Sequence, residues 1–461
     1  MRKEIDSMGS VNVPDDSYYG AQTQRAVENF PISGIRLSQS MIHALGMIKR
    51  SAAIINHQFG LLDEERKNAI VQAADEVIAG KFNDQFPIDI YQTGSGTSSN
   101  MNCNEIIANR ASELLHGEIG SREPVHPNNH VNLGQSSNDV IPTAIHIAAN
   151  LMIQNDFIPA LEELSHELDQ KVSEFKDVMK IGRTHLQDAT PITMGQEFSG
   201  YVQMVNNGID RLRNVQNHLS EIAQGGTAVG TGINTKANFG KLMAEEISRF
   251  SGVNFIEAPN HFEAQGTQDA SVETSGALKT IAISLSKIAN DIRWMSSGPR
   301  AGIGELILPA VQPGSSIMPG KVNPVICESM IQICAQVIGN DTAITLGGQG
   351  GIFELNMMLP LIAHNLMQSI EILTKGSMMF SEKLIKGLEA DKKKCFDYIE
   401  GSLAMCTSLA PIIGYDKAAE IAHIAYKNGK TIREICIQKK ILDQDELDNL
   451  LDPKNMIKPT D

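Results

Sequence analysis

The chain has 461 residues, 42% of them hydrophobic and 20% charged, which is ordinary for a folded globular protein and long enough for two to four domains. Its 39 Lys and Arg against 54 Asp and Glu leave a formal net charge of −15, which argues against nucleic acid and anionic lipid surfaces as partners, since both require basic faces. A single cationic pocket remains compatible with that balance. The six cysteines are scattered, with no CxxC pair, and read as reduced thiols rather than a disulfide or metal framework.

The opening residues Met1–Asp16 carry charge and no apolar core of a signal peptide, and no run of about 18 apolar residues follows anywhere, so a membrane span is not expected. Up to about residue 135 short helical runs alternate with segments rich in Gly, Asn and Ser. Beyond 136, long apolar stripes with helical spacing predict a helix bundle: Ile141, Ala144, Ile145, Ala148 and Met152 form one, and others run through Gln196–Ile222, Ala270–Met295, Asn323–Thr345 and Leu355–Leu373. With 5% aromatic residues and 20 Met, aliphatic helix-to-helix packing fits better than a β-sandwich. From 393 onward shorter segments, Lys417–Lys427 and Thr431–Lys439, predict a small helical domain. The expected division is therefore 1–135, 136–392 and 393–461, in a mainly α fold.

Four polar segments interrupt this background. Gln92–Asn104 places two glycines among hydroxyls and amides, a pattern that can present N–H donors to an anion if a helix begins near Ser98. In the second, His126 and His130 have i,i+4 spacing, but Pro127 and two asparagines oppose a continuous helix and no carboxylate completes a metal ligand set. Ser136, Ser137 and Asn138, just after it, read as a helix cap with donors to spare. In Gly182–Pro191, His185 falls on a turn beside Thr184, where an imidazole can move protons near neutral pH. The fourth, Gly314-Ser-Ser-Ile-Met-Pro-Gly-Lys-Val-Asn-Pro, lacks the glycine spacing of a phosphate loop. A serine that takes a proton and a lysine that holds an anion suit carbanion chemistry beside a carboxylate.

This last segment resembles the signature loop of the fumarase/aspartase superfamily. Together with Asp6-Ser-Met-Gly, Tyr18-Tyr-Gly-Ala-Gln-Thr-Gln-Arg-Ala and Gly225-Gly-Thr-Ala-Val-Gly-Thr-Gly, it is similar to the class II fumarases over nearly the whole chain. The resemblance implies a three-domain protomer whose central helices assemble as a homotetramer, with each site drawing on three subunits. It implies reversible trans-hydration of fumarate to L-malate in the tricarboxylic acid cycle, in the cytoplasm, with no metal or organic cofactor. Ser315 matches the base that takes the C3 proton, His185 the group acting on water, Glu328 the carboxylate orienting it, and Lys321 and Asn323 the donors to the developing dianion. Ser95, Gly96, Thr97, Ser136, Ser137, Asn138, Thr184, Ser316 and Val322 match further substrate-binding positions.

The nearest alternative is an aspartase, which eliminates ammonia. Its pattern resembles Gly-Arg-Thr-Gln where this chain has Gly182-Arg-Thr-His, so His185 favours hydration. A non-catalytic helical scaffold is the other reading, disfavoured by Ser315, Lys321, His185 and Glu328 standing together. The resemblance also implies a second dicarboxylate site at His126, Pro127, Asn128 and Asn129. There the family usually has a basic residue three positions before the His and often Asp at the end. This chain has Glu123 and Asn129, with Arg122 one residue displaced.

Overall fold

The computed structural model describes residues 1–459. Helices dominate, and the strands among the described residues form only two-stranded pairs, so the expected mainly α fold is what the chain adopts. The long apolar stripes are helices Met194–Leu219, Asp269–Met295, Val325–Gly348 and Leu359–Phe380, of 26, 27, 24 and 22 residues, or about 33 to 41 Å at 1.5 Å per residue. Two stripe ends were read as helix and are strand. Glu221–Ile222 pairs in parallel with Ile256–Glu257, and Leu355–Asn356 pairs with Gly351–Ile352. Apolar residues continue past the last helical turn in both places, and periodicity alone does not mark where the backbone changes.

The chain folds as two compact units. The first comprises residues 1–159, 210–282 and 335–374. It opens with an antiparallel hairpin, Arg2–Asp6 with Gly9–Val13. Helix Gln39–Gln58, capped by Ser38, packs against helix Glu64–Ile78, capped by Asp63, and against helix Ser137–Met152. Met41, Leu45, Ile48, Ile70, Ala73 and Val77 are fully buried there, each large aliphatic side chain contributing about 1.5–3 kcal/mol on leaving water. These N-terminal helices are longer than the short runs expected from the sequence, because polar residues inside their buried faces break the stripe. Helix Thr97–Leu114 buries Asn100, Asn102, Asn104, Glu105 and Asn109. Glu105 is the clearest case. Its carboxylate accepts from the Gly20, Gln22 and Thr23 amides and the Thr23 hydroxyl, at 2.7–3.1 Å, and so seats the start of helix Ala21–Asn29.

The second unit comprises residues 160–209, 283–334 and 375 onward. Phe175, Phe198 and Tyr201 stack edge to face, and the Tyr201 hydroxyl donates to Asp291 at 2.9 Å. The C-terminal segments are helices Tyr415–Asn428, Ile432–Lys439 and Gln444–Leu450. Thr431 and Glu434 close a capping box at the second of these. Ile399, Leu409, Ile421, Ile432, Ile435 and Leu447 form their shared core. No helix among the described residues is long and apolar enough to cross a membrane.

Candidate active site

In the first unit, two glycine-dependent turns bring helix N-termini together. The Gly96 amide closes a turn on Thr93, and Gly96 adopts φ +68° as it hands over to helix Thr97–Leu114. A Cβ there would stand 2.9 Å from Ile141 Cγ1, and one on Gly94 would stand 1.9 Å from the Met357 carbonyl oxygen. Only glycine allows both approaches. Gly96 has no side chain to cap this helix, and Gln92 Oε1 accepts from the Ser99 amide at 3.1 Å, leaving the Thr97 and Ser98 N–H groups for a ligand. Ser95, Thr97 and Ser137 form a chain of hydroxyls with 2.7 Å links, which joins this end to helix Ser137–Met152.

That second helix starts in a capping box, with Ser136 accepting from the Asn138 amide at 3.2 Å and Asp139 accepting from the Ser136 amide at 2.9 Å. The other Asp139 oxygen accepts from the Gly225 and Thr227 amides, and Asn138 donates to the Ala228 carbonyl at 2.8 Å. The Gly225–Gly232 segment is thereby folded over Ser136–Asn138. Burial raises the Asp139 pKa against the pull of its backbone donors.

Lys49 was not singled out from the sequence, yet it lies at the centre of this cluster. Fully buried, it donates to Asn100 at 2.7 Å, Asn132 at 2.9 Å and Gln135 at 3.0 Å. The signal was present in the sequence: Lys49 follows Ile48 on the face that also carries Met41, Ile42, Leu45 and Ala52, where an unpaired lysine is out of place.

The second unit carries the other predicted residues. Strands Met179–Thr184 and Gln187–Thr193 form a hairpin whose tip is His185-Leu186, with φ of 54° and 60°. Both residues have the left-handed geometry of a type I′ turn without being Gly or Asn, so His185 projects from a strained, exposed tip. Below it, the Arg183 guanidinium nitrogens lie 2.9 Å from each oxygen of fully buried Glu305. Lys180, also fully buried, meets Glu197 at 2.8 Å and Glu305 at 3.3 Å. This four-charge network ties the hairpin to the strand Leu306–Ile307 that precedes the serine loop.

The serine loop folds back on itself. The Gly314 amide donates to the Lys321 carbonyl at 2.8 Å, and Asn323 Nδ2 donates to the Gly314 carbonyl at 2.6 Å. Ser315 Oγ accepts from the Ile317 amide at 3.2 Å and the Met318 amide at 2.9 Å. Two donors aimed at a hydroxyl oxygen favour its deprotonated form. Ser316, Lys321 and Val322 are exposed, as is Glu328 in the first turn of helix Val325–Gly348. Within the chain no hydrogen bond among the described residues joins His185 to Glu328.

The His126–Asn129 segment forms a tight turn, Pro127–Val131, with Asn128 and Asn129 exposed. His126 Nδ1 accepts from the amides of Asn128 and Asn129, and His130 Nδ1 accepts from the His126 amide at 2.8 Å. Apart from the predicted residues, a cavity of about 390 Å³ in the first unit is lined by His146, His218, Glu221, Glu263, Asp269 and Glu273 among others. His146 donates from Nδ1 to the Glu221 carbonyl at 2.7 Å, and burial pushes its pKa down to about 4.

The chain matches the family model described as lyase over residues 9–339, and the model described as fumarase C C-terminus over 405–458. The class II fumarate hydratase of Halobacterium salinarum is 56% identical over 455 residues, covering 99% of this chain and 97% of that protein. That of Nitrosomonas europaea is 52% identical, covering 99% and 98%. The crystal structure of class II fumarase from Schistosoma mansoni superposes with a TM-score of 0.97 at 40% identity, covering 100% of both chains. The order of the hydroxyl cluster, the His185 hairpin and the serine loop along the chain, together with likeness of this extent, places the protein in the lyase family among the class II fumarate hydratases.

Proposed function

We propose that the chain catalyses the reversible trans-addition of water to fumarate, giving L-malate, as a hydro-lyase of the tricarboxylic acid cycle. In the dehydration direction Ser315 takes the C3 proton. The observation that carries this role is the pair of backbone amides on its oxygen, which lowers the cost of an alkoxide. Lys321 and Asn323 stabilise the dianion that develops on the adjacent carboxylate, with Ser316 and Val322 completing the loop's contact. His185 protonates the departing hydroxyl or, in reverse, takes a proton from the attacking water, with Thr184 beside it. Ser95, Gly96, Thr97, Ser136, Ser137 and Asn138 receive a carboxylate at the two helix N-termini, which the hydroxyl chain and the glycine N-cap at Gly96 support.

The active unit in this reading is a homotetramer with each site built from three subunits, which would bring Glu328 to His185 across an interface. Exposed apolar side chains on the long helices, including Ile283, Trp294, Ile338, Leu346 and Met378, support such assembly. A division at 135 and 392, a second dicarboxylate site at His126–Asn129 and a cytoplasmic location belong to the same reading. Six unpaired cysteines suit a reducing compartment. The test is ultraviolet detection of fumarate formed from L-malate by the purified protein, with L-aspartate in parallel. Turnover of malate alone is expected. Turnover of aspartate alone would make the chain an ammonia-lyase, and inactivity on both would return it to a scaffold.

A further inference from the structure

Lys49 presents an energetic puzzle. Its side chain exposes nothing, and all three of its hydrogen bonds go to neutral amide oxygens, those of Asn100, Asn132 and Gln135. A buried ammonium without a contacting carboxylate is costly, and an apolar residue of similar volume would fill the space at no such cost. The partners of Lys49 show what the charge faces. Asn100 lies in the first turn of helix Thr97–Leu114, three residues after Thr97. Asn132 and Gln135 form the turn that leads into Ser136–Asn138, with Asn132 Nδ2 donating back to the Gln135 carbonyl at 3.1 Å. Lys49 is therefore the shared foundation of the two helix N-termini that receive a carboxylate.

We infer that Lys49 is a positioning and specificity residue for the dicarboxylate, fixing both N-terminal turns through their amide oxygens and placing beneath them a positive charge that the incoming anion completes. This rests on the dicarboxylate reading above. The titratable groups facing Lys49 are Cys103, on helix Thr97–Leu114, and Asp139, on helix Ser137–Met152. Burial pushes the Cys103 thiol up to about 12, so it stays neutral. Asp139 acts on Lys49 through space while its own oxygens are held by backbone amides. Burial lowers the Lys49 pKa to about 8, so an arriving anion that favours its charged form will draw in a proton at mildly alkaline pH.

The experiment is calorimetric binding of succinate, a dianion that does not react, to the full-length protein in buffers of different ionisation enthalpy. With Lys49 near 8 and an anion raising it by about one unit, wild type should take up about half a proton per site near pH 8.5. Lys49→Met should bind succinate about tenfold more weakly and take up none. Lys49→Arg, which stays charged at this pH, should lose the proton uptake and keep more of the affinity. A purely architectural lysine gives no proton uptake in wild type, and that result overturns the inference even if Lys49→Met fails to fold. Uptake that persists in Lys49→Arg assigns the proton elsewhere and overturns it as well. Wild type that takes up the proton with succinate yet fails to hydrate fumarate would overturn the catalytic reading and leave the Lys49 site standing.

Discussion

Replacing Glu305 by Gln removes one charge and almost no volume from a fully buried position. Glu305 faces two cations, Arg183 at 2.9 Å on both oxygens and Lys180 at 3.3 Å. Lys180 retains Glu197 at 2.8 Å, but the guanidinium loses the carboxylate it contacts and the network is left with a net positive charge. Breaking a buried pair by deleting one partner costs about 3–5 kcal/mol; because the Arg183 side chain is 16% exposed and water can reach it, the lower end, about 3 kcal/mol, is expected. The effect should extend to turnover. His185 and Leu186 sit at φ 54° and 60°, a geometry costing roughly 1–2 kcal/mol each for residues with a Cβ, and Arg183 anchors the strand two residues below. With that anchor loosened the tip can relax, and kcat should fall by about tenfold or more, since catalysis is sensitive to displacements near 1 Å. The assay is a denaturant midpoint at fixed protein concentration beside kcat for malate, with Lys393→Met as control. That substitution deletes an exposed i,i+4 pair with Asp397, worth under about 1 kcal/mol. Adding Arg183→Met to Glu305→Gln should cost less than the sum of the two by about 1–3 kcal/mol. A Glu305→Gln protein with unchanged midpoint and unchanged kcat would refute the reasoning.

Ser315→Ala should lower kcat by about 10²–10⁴-fold, the usual range for a proton-transfer group, with oligomeric state unchanged by light scattering; near-normal turnover would remove Ser315 from the mechanism. Gly96→Ala places a Cβ at φ +68° and 2.9 Å from Ile141 Cγ1, so the turn should shift at a cost of about 2–4 kcal/mol. Its KM for fumarate should rise well beyond that of Gly60→Ala, which has φ +69° and open space around it. His146 has its folded-state pKa depressed from 6.5 to about 4, so the unfolded chain binds the extra proton between those values. Stability tied to His146 is complete above pH 6.5 and falls with pH below it, by up to about 1.4 kcal/mol per unit. Buried Asp139 and Glu105 have raised pKa values and push the opposite way as they protonate. The difference between wild type and His146→Gln isolates the histidine, and parallel stability curves from pH 7 to 4.5 would contradict its assignment.

The parts of the fold legible in the sequence were those where one physical pattern acts alone. The stripe Ile141–Met152 and the long runs from Gln196 to Leu373 declared helices because their buried faces are apolar. The Ser136 cap was legible for a similar reason, since local chemistry specifies local geometry. Legibility failed where long-range partners rewrite the pattern. Glu105 looks like a surface residue until Gly20, Gln22 and Thr23 arrive from 82 to 85 positions away. The sequence therefore marks Gln92–Asn104 only as a polar segment where a helix could begin near Ser98, and not a buried helix running on to Leu114. His185 was correctly placed on a turn, but the hairpin and its left-handed tip depend on Glu305, which is 122 positions from Arg183. Lys49 was the costliest omission. Its neighbours on the helix announce a buried face, and a lysine there is a question that only Asn100, Asn132 and Gln135 answer.

The net charge of −15 opposes a dianionic substrate, and the depth of Lys49 determines how that opposition responds to salt. Surface charge is screened beyond about 8–10 Å at physiological ionic strength, so added salt weakens the repulsion between the acidic surface and the dianion. The ammonium of Lys49 lies in the protein interior, where mobile ions do not reach it and its attraction persists. In the proposed site the backbone N–H groups at Thr97 and Ser137 would act at contact distance and be likewise little affected. In the proposed site, exposed Lys321 is a cation that salt screens directly. Raising ionic strength from about 0.02 to 0.2 M with a salt of large, weakly binding ions should therefore change KM for fumarate by less than about threefold. In Lys49→Met, where Lys321 carries the attraction alone, KM should climb more steeply with salt. A wild-type KM that rises as steeply as that of the variant would show that attraction comes from the surface, and the buried charge would lose its role.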